Sequence, residues 1–312
     1  MNFNSFAKKI FKTDVPVDRG NGLFVTVDEL IEQRRYAYEW QLNRLNRYTS
    51  QIAGDVKSIF KGRGMEFEEI RAYTFGDDVR DIDWRVTARK QLPYTKLYAE
   101  EKDREVYVVL DLSETMLFGT KKELKSVTAS KIAASIGWQC LKNKDRFGCI
   151  INDGGNPTLF KAQNTQTNMM LIFKRIADKT KQLVQDFNTI QEKNSLKKSI
   201  ELLQKTIKHR AIVLIISDFY DFSDDVKKSL AQLAKKADVT CVNVFDELEK
   251  CPPVAGEYMA QQHNRRIVFS SVVESFRDEY VKYFSDKHKQ IKDFCIKFNL
   301  HYVENEVSLC NK

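Results

Sequence analysis

Four short runs of Val, Ile and Leu, each closed by an aspartate, most constrain what this chain can fold into. They are "EVYVVLD" (105–111), "DRFGCIIND" (145–153), "RAIVLIISD" (210–218) and "DVTCVNVFD" (238–246). Apolar runs of this length read as strands buried on both faces, the kind found in parallel sheets covered by helices. The segments between them carry apolar residues at helical spacing: Ala129, Ala133, Ile136 and Cys140, then Leu196, Ile200, Leu203 and Ile207, then Val226, Leu230 and Leu233. This alternation predicts an α/β fold over residues 105–312, a doubly wound and mostly parallel sheet. A hairpin near 257–270, a long helix over 271–299 and a closing strand "LHYVEN" complete it.

The first third reads differently. Residues 1–26 show no periodicity and are expected to be loose. From Val27 to Leu45 the residues Leu30, Arg34, Tyr38 and Leu42 fall at helical spacing, with Asp28 as the expected N-cap. Gly54, "KGRG" (61–64) and short β-rich runs such as "PYTKLYAEE" follow, so residues 27–104 are expected to form a separate extension of one helix and short strands.

With 42% hydrophobic and 30% charged residues among 312, the composition is that of an ordinary globular chain. The net charge of +8 comes from lysines scattered over helix faces with no interleaved aromatic platform, which argues against nucleic acid as the partner. Six cysteines without a CxxC spacing, several inside apolar segments, point to a reducing compartment. The longest apolar run, "AIVLII" (211–216), is too short to span a bilayer. A cytoplasmic location is therefore expected, with peripheral membrane contact through a partner left open.

In an open parallel sheet, ligands bind at the carboxyl ends of the strands, near the point where strand order reverses. The first strand ends in "DLSETM", which sets Asp111, Ser113 and Thr115 two residues apart. One carboxylate and two hydroxyls make a hard oxygen site suited to Mg²⁺ or Mn²⁺. From this strand end alone, Asp111 and Ser113 serve equally well as caps of the helix that follows. Two further segments add donors: "QNTQTNMML" (163–171) offers Thr167, and "AIVLIISD" delivers Asp218.

The order Asp-x-Ser-x-Ser/Thr, a middle-loop Thr and a later strand-end Asp resembles the metal-ion-dependent adhesion site of von Willebrand factor A domains. The stretch "KGRGMEFEEIRAYTFGDDVRDIDWRVTARKQLPYTKLYAEE" (61–101) is similar to the signature of domain-of-unknown-function family fifty-eight, (R)GxGxEFxxxRxYxxGDxxRxIDWxxxAR. Gly62, Gly64, Glu66, Phe67, Arg71, Tyr73, Gly76, Asp77, Arg80, Ile82, Asp83, Trp84, Ala88 and Arg89 all occupy its fixed positions. The resemblance implies a von Willebrand A-like, Rossmann-type domain with a family-specific N-terminal extension. It also implies a MoxR-type AAA+ ATPase as partner, in chaperone-like assembly, activation or stress response. On that reading Asp111, Ser113, Thr115, Thr167 and Asp218 hold Mg²⁺ or Mn²⁺, and a carboxylate from an acidic client or partner completes the metal shell. The chain would then be a metal-dependent interaction module and not an enzyme. Thr115 replaces the common Ser, and Gln166 precedes Thr167 where the family form has Gly-Gly-Thr, which leaves Thr165 as a rival ligand.

The alternative is a metal-dependent nuclease or phosphohydrolase using Asp111, Asp153, Asp218 and Asp246. A haloacid-dehalogenase mechanism is excluded by Ser113, which stands where the general acid is needed. No GxxxxGK[ST], GxSxG or HExxH occurs, so the chain would borrow its ATPase activity from a partner. Histidines 209, 263, 288 and 301 are expected at the surface, and Tyr73, Phe75 and Trp84 are expected to pack. The acidic stretch "YTFGDDVRDIDWR" (73–85) fits no calcium loop, and half-buried Arg–Asp pairing is expected for it.

Overall fold

The computed structural model describes residues 20–35, 65–74, 77–100, 104–185, 195–262 and 265–307. They form two compact units, one of Asn43–Asp103 and one of Met1–Leu42 with Arg104–Lys312.

Helix α1 (Val27–Glu32) runs on into a 3₁₀ turn at Gln33–Arg35 and starts from Thr26, not from Asp28. Thr26 Oγ1 accepts from the Glu29 amide at 3.3 Å, and Glu29 Oε2 accepts from the Thr26 amide at 2.9 Å. Asp28 lies already inside the first turn, where it cannot close this reciprocal box. Leu30 is fully buried, and its carbonyl accepts from Trp138 Nε1 at 3.0 Å. The described part of the segment expected to open the extension thus packs within the α/β unit. Tyr38, Leu42 and residues 1–19 lie outside the described residues.

In the smaller unit, β1 (Met65–Ala72) pairs antiparallel with β2 (Tyr94–Glu100), and α2 (Trp84–Lys90) lies between them in sequence. Asp83 caps α2, its Oδ1 accepting from the amides of Arg85 at 3.0 Å and Val86 at 3.1 Å. Asp78 accepts from the Arg80 amide in the same way. Asp77 binds Arg71 Nη2 at 2.7 Å and the Thr74 amide at 2.9 Å, while the Tyr73 hydroxyl donates to its carbonyl. The Thr74 amide, with Arg71, holds the Asp77 carboxyl below its ordinary range. The expected half-buried Arg–Asp pairing is met at Arg71 and Asp77, whereas at Arg80 the pair with Asp78 is a long one of 4.0 Å with the arginine side chain 91% exposed. Trp84, expected to pack, is 68% exposed, and Arg89 sits exposed in the last turn of α2. Glu66 falls in β1, and Gly62, Gly64, Phe75 and Gly76 lie outside the described residues.

The larger unit is built on β3 (Glu105–Asp111), β4 (Arg146–Asn152), β5 (Thr158–Gln163), β6 (Ala211–Ser217), β7 (Ala237–Phe245) and β10 (His301–Glu306). Their order is β10-β7-β6-β3-β4-β5, and every pairing is parallel except β4 with β5. The crossovers carry α3 (Lys125–Lys142), α4 (Gln166–Gln185), α5 (Ser195–Thr206), α6 (Asp224–Leu233) and the short α7 (Glu247–Lys250). A hairpin of β8 (Glu257–Gln262) and β9 (Arg265–Ser270) precedes α8 (Glu274–Lys297). Tyr107, Val109, Ile150, Val213, Ile215 and Cys241 pack with Ile200 and Leu203 of α5, Leu230 of α6 and Ile291 of α8. Their sequence neighbours Val108, Cys149 and Leu214 are equally buried and point to the opposite face, where α3 lies against β3, β4, β6 and β7. Helices therefore cover both faces, as the unbroken apolar runs require.

Where β4 meets β3, Gly148 is required: a Cβ there would stand 2.5 Å from the Tyr107 ring. Four of the five described cysteines are buried as free thiols, as their apolar surroundings predict. His288, expected at the surface, is buried on α8 between Phe245 and Phe284 and bonds Asn243 and Glu304. Burial pushes its pKa below the ordinary value. Its polar sequence neighbours hid this because α8 turns only every third or fourth residue toward the sheet.

Candidate functional site at the carboxyl edge of the sheet

Strand order reverses between β3 and β6: β3 leads through β4 to β5 on one side, and β6 leads through β7 to β10 on the other. Asp111 closes β3 and Asp218 follows β6, so the two aspartates end adjacent strands at the switch point. Both are buried, with Asp111 4% and Asp218 5% exposed, while Ser113 and Thr115 lie half-buried above them. Thr115 Oγ1 donates to Asp218 Oδ1 at 3.2 Å and lies 3.3 Å from Ser113 Oγ. Neither Asp111 nor Ser113 caps a long helix; the turn after Ser113 is a single 3₁₀ turn, Glu114–Met116.

Asp111 Oδ1 accepts from the Ser113 amide at 3.0 Å and from Asn152 Nδ2 at 3.0 Å, and its Oδ2 accepts from Ser217 Oγ at 2.5 Å. Burial first, and the Asp218 charge second, push its pKa up to about 6. Asp218 Oδ1 also accepts from the Tyr220 amide at 3.0 Å, and Lys125 Nζ lies 2.8 Å from its Oδ2. Burial opposes ionisation of Asp218, yet the Lys125 ammonium holds its pKa below the ordinary value. Between Asp218 and Tyr220, Phe219 is fully buried with φ 46°, a left-handed conformation that costs a bulky residue strain and is found at functional turns.

The donor set suits a hard divalent cation. Asp218 has three of its roughly four lone-pair sites engaged, Asp111 takes the Ser113 hydroxyl besides the three bonds above, and the Ser113 and Thr115 hydroxyl oxygens lie side by side. Adjacent ligands in an octahedron of 2.0–2.1 Å bonds lie about 2.9 Å apart, close to the Ser113–Thr115 separation. Lys125 is the departure, an ammonium resident among the would-be ligands.

Thr167 does not belong to this site. Strand β5 runs antiparallel to β4 and returns the chain to the amino edge, where Gln163 pairs with Phe147. Asn168 Nδ2 bonds the Phe147 carbonyl and Asn164 Nδ2 the Lys144 carbonyl, so the start of α4 sits at the opposite end of β4 from Asn152. At about 3.3 Å per residue the two ends are roughly 17 Å apart. Thr165 shares that place and accepts from the Asn168 amide. What reaches the site instead is Ser195, at the start of α5, whose Oγ accepts from Asn152 Nδ2 at 3.1 Å. Asn152, Ser217 and Lys125 escaped the reading of strand-end aspartates. The readable signal for Lys125 was a lysine in the first turn of a helix, where the helix dipole disfavours a cation.

Of the remaining strand-end aspartates, Asp153 pairs with Lys179 at 2.5 Å, and Asp246 caps α7 and binds Thr120 Oγ1 at 2.6 Å. Beside Asp218 lies a cavity of about 230 Å³ lined by Tyr220, Asn243, Glu249, Phe284, Lys287 and His288 among others. It adjoins an open groove of about 590 Å³ flanked by Tyr220 and Tyr283, which are 62% and 69% exposed. Burial lowers the pKa of Lys287, whose ammonium stands 5.0 Å over the Tyr220 ring. No helix among the described residues is long and apolar enough to cross a membrane.

An uncharacterized protein of Mycobacterium tuberculosis H37Rv, Rv1480, is 26% identical over 232 residues, 74% of this chain and 71% of its own length. The Mycobacterium bovis protein Mb1516, also uncharacterized, matches to the same extent. Among solved structures, the conserved hypothetical protein BatB from Bacteroides thetaiotaomicron superimposes with a TM-score of 0.39 at 16% identity, over 65% of this chain and 90% of its own. An aerotolerance-related membrane protein from Bacteroides fragilis gives 0.38 at 14% identity, over 66% and 92%. The family described as "Protein of unknown function DUF58" matches residues 69–290, and the chain belongs to that family.

Proposed function

We propose that the carboxyl edge of the sheet is a divalent-cation site through which this chain docks a carboxylate of a partner protein, with Mg²⁺ or Mn²⁺ as the ion. The observation that carries the reading is the convergence of Ser113, Thr115 and Asp218, with Thr115 bonded to Asp218 across 103 residues of sequence, over the buried Asp111. Asp111, Ser113, Thr115 and Asp218 would hold the ion directly or through water. The ion would supply a coordination position that an acidic side chain can complete. The strand order with one antiparallel edge strand supports a von Willebrand A-like fold for this unit. The two exposed tyrosines flanking the groove next to Asp218 support docking, because tyrosine is enriched among the residues that dominate protein interfaces.

The partner on this reading is a MoxR-type AAA+ ATPase or an acidic client, the function chaperone-like assembly or activation, and the place of action the cytoplasm. A hydrolytic role has less support, since Asp153 and Asp246 are committed to Lys179 and to the α7 cap and Thr120.

Thermal unfolding tests the metal. A divalent ion of Kd about 0.1 mM, supplied at about 10 mM, stabilises the fold by about 2.7 kcal/mol. The melting temperature should rise with Mg²⁺ or Mn²⁺ relative to EDTA, and Asp218→Ala should abolish the rise. An unmoved wild-type melting temperature removes the metal reading.

A further inference from the structure

Lys125 is 1% exposed, and its ammonium lies 2.8 Å from Asp218 Oδ2 and 2.8 Å from Glu249 Oε1. It opens α3, where the helix dipole works against a cation, and Leu124 before it provides no side-chain cap. The carboxylates, and the Phe118 ring 5.8 Å away, are what keep it there. Burial alone would lower its pKa, yet Asp218 and Glu249 hold it above the ordinary value. The two carboxylates are not equivalent. Asp218 is 5% exposed and also takes the Thr115 hydroxyl and the Tyr220 amide. Glu249 is 32% exposed and is anchored by Oε2 on the Asp246 amide at the start of α7.

A divalent ion beside Ser113 and Thr115 would share Asp218 with this ammonium, and two cations at such range in a buried site repel strongly. We infer that Lys125 is a resident cation that bridges Asp218 and Glu249 without metal, and that it gives up Asp218 and is kept by Glu249 alone when the metal binds. The inference rests on the metal-site reading above. It assigns Lys125 the setting of metal affinity, and it makes α7 the element that feels whether the ion is present.

Titration of Mn²⁺ into the full chain, followed by the loss of the free-ion electron paramagnetic resonance signal, tests it. Lys125→Met should bind Mn²⁺ at least about tenfold more tightly than wild type, because the competing charge is gone. Glu249→Gln removes the second seat and should weaken binding severalfold. In the Lys125→Met background the same Glu249→Gln change should have no effect, since there is no ammonium left to retain. An equal Glu249→Gln effect in both backgrounds shows plain electrostatics and overturns the release of Lys125 from Asp218. If wild type binds Mn²⁺ and Lys125→Met binds no more tightly, the role of Lys125 falls while the metal site stands. If neither binds up to about 10 mM, a hundredfold above the Kd assumed for the site, both fall together. Should Lys125→Met not fold, Glu249→Gln at its partly exposed position carries the test, and an unchanged affinity overturns the inference.

Discussion

At the residue scale, the aspartates of this chain divide by what their oxygens accept. Asp83 serves two backbone amides at the head of α2, so Asp83→Ala should cost about 1 kcal/mol in urea unfolding and leave Mn²⁺ binding unchanged. Asp111 and Asp218 are instead buried among side-chain donors at the sheet edge. His288 gives a pH prediction. Its folded pKa is depressed by burial, so the unfolded chain takes up the proton first and stability is lost as pH falls through about 6.5. Melting curves in EDTA from pH 7.5 to 5.5 should show wild type losing stability relative to His288→Gln. Asp111, whose raised pKa acts in the opposite direction, titrates in both proteins and drops out of the difference. Parallel curves would mean that His288 is not buried neutral.

At the element scale, the four Val/Ile runs predicted the parallel strands, and α3, α5 and α6 fell where the 3.6-residue spacing placed them, whereas no spacing predicted α4. Position 148 shows how tightly these elements meet: Gly148→Ala drives a methyl group against Tyr107 and the Ala162 amide, and should cost about 1–3 kcal/mol of stability. The misplacement of Thr167 also belongs to this scale. Its spacing from a strand is local information, but which edge of the sheet it occupies depends on the direction of β5, and "TLFKAQ" reads the same in a parallel or an antiparallel strand. Direction is decided by the short turn through Gly154, with φ 82°, which leaves no room for a crossover helix. Metal titration separates the two threonines: Thr115→Ala should abolish Mn²⁺ binding, and Thr167→Ala should leave it unchanged. The family signature was legible as a string of residues, but the string does not say that Trp84 faces outward, because exposure is a property of packing and not of order.

At the scale of the whole molecule, the candidate ligands among the described residues are gathered on one edge of one sheet, with the tyrosine-flanked groove beside it. If this edge docks partners through a metal, affinity capture from cell extract should retain an AAA+ ATPase with Mg²⁺ and release it with EDTA. Ser113→Ala should abolish capture without lowering the melting temperature in EDTA, and capture indifferent to both would place the partner surface elsewhere. The cluster of Lys125, Asp218 and Glu249 joins residues 93 and 124 positions apart, drawn from the start of α3, the end of β6 and the short α7. No fragment of the chain ending before residue 249 contains all three. During synthesis the edge therefore stays unfinished until every parallel strand but the last has emerged. If the site binds as proposed, its ligands have all emerged with Asp218, and the control that Glu249 exerts through Lys125 arrives only with an almost complete fold.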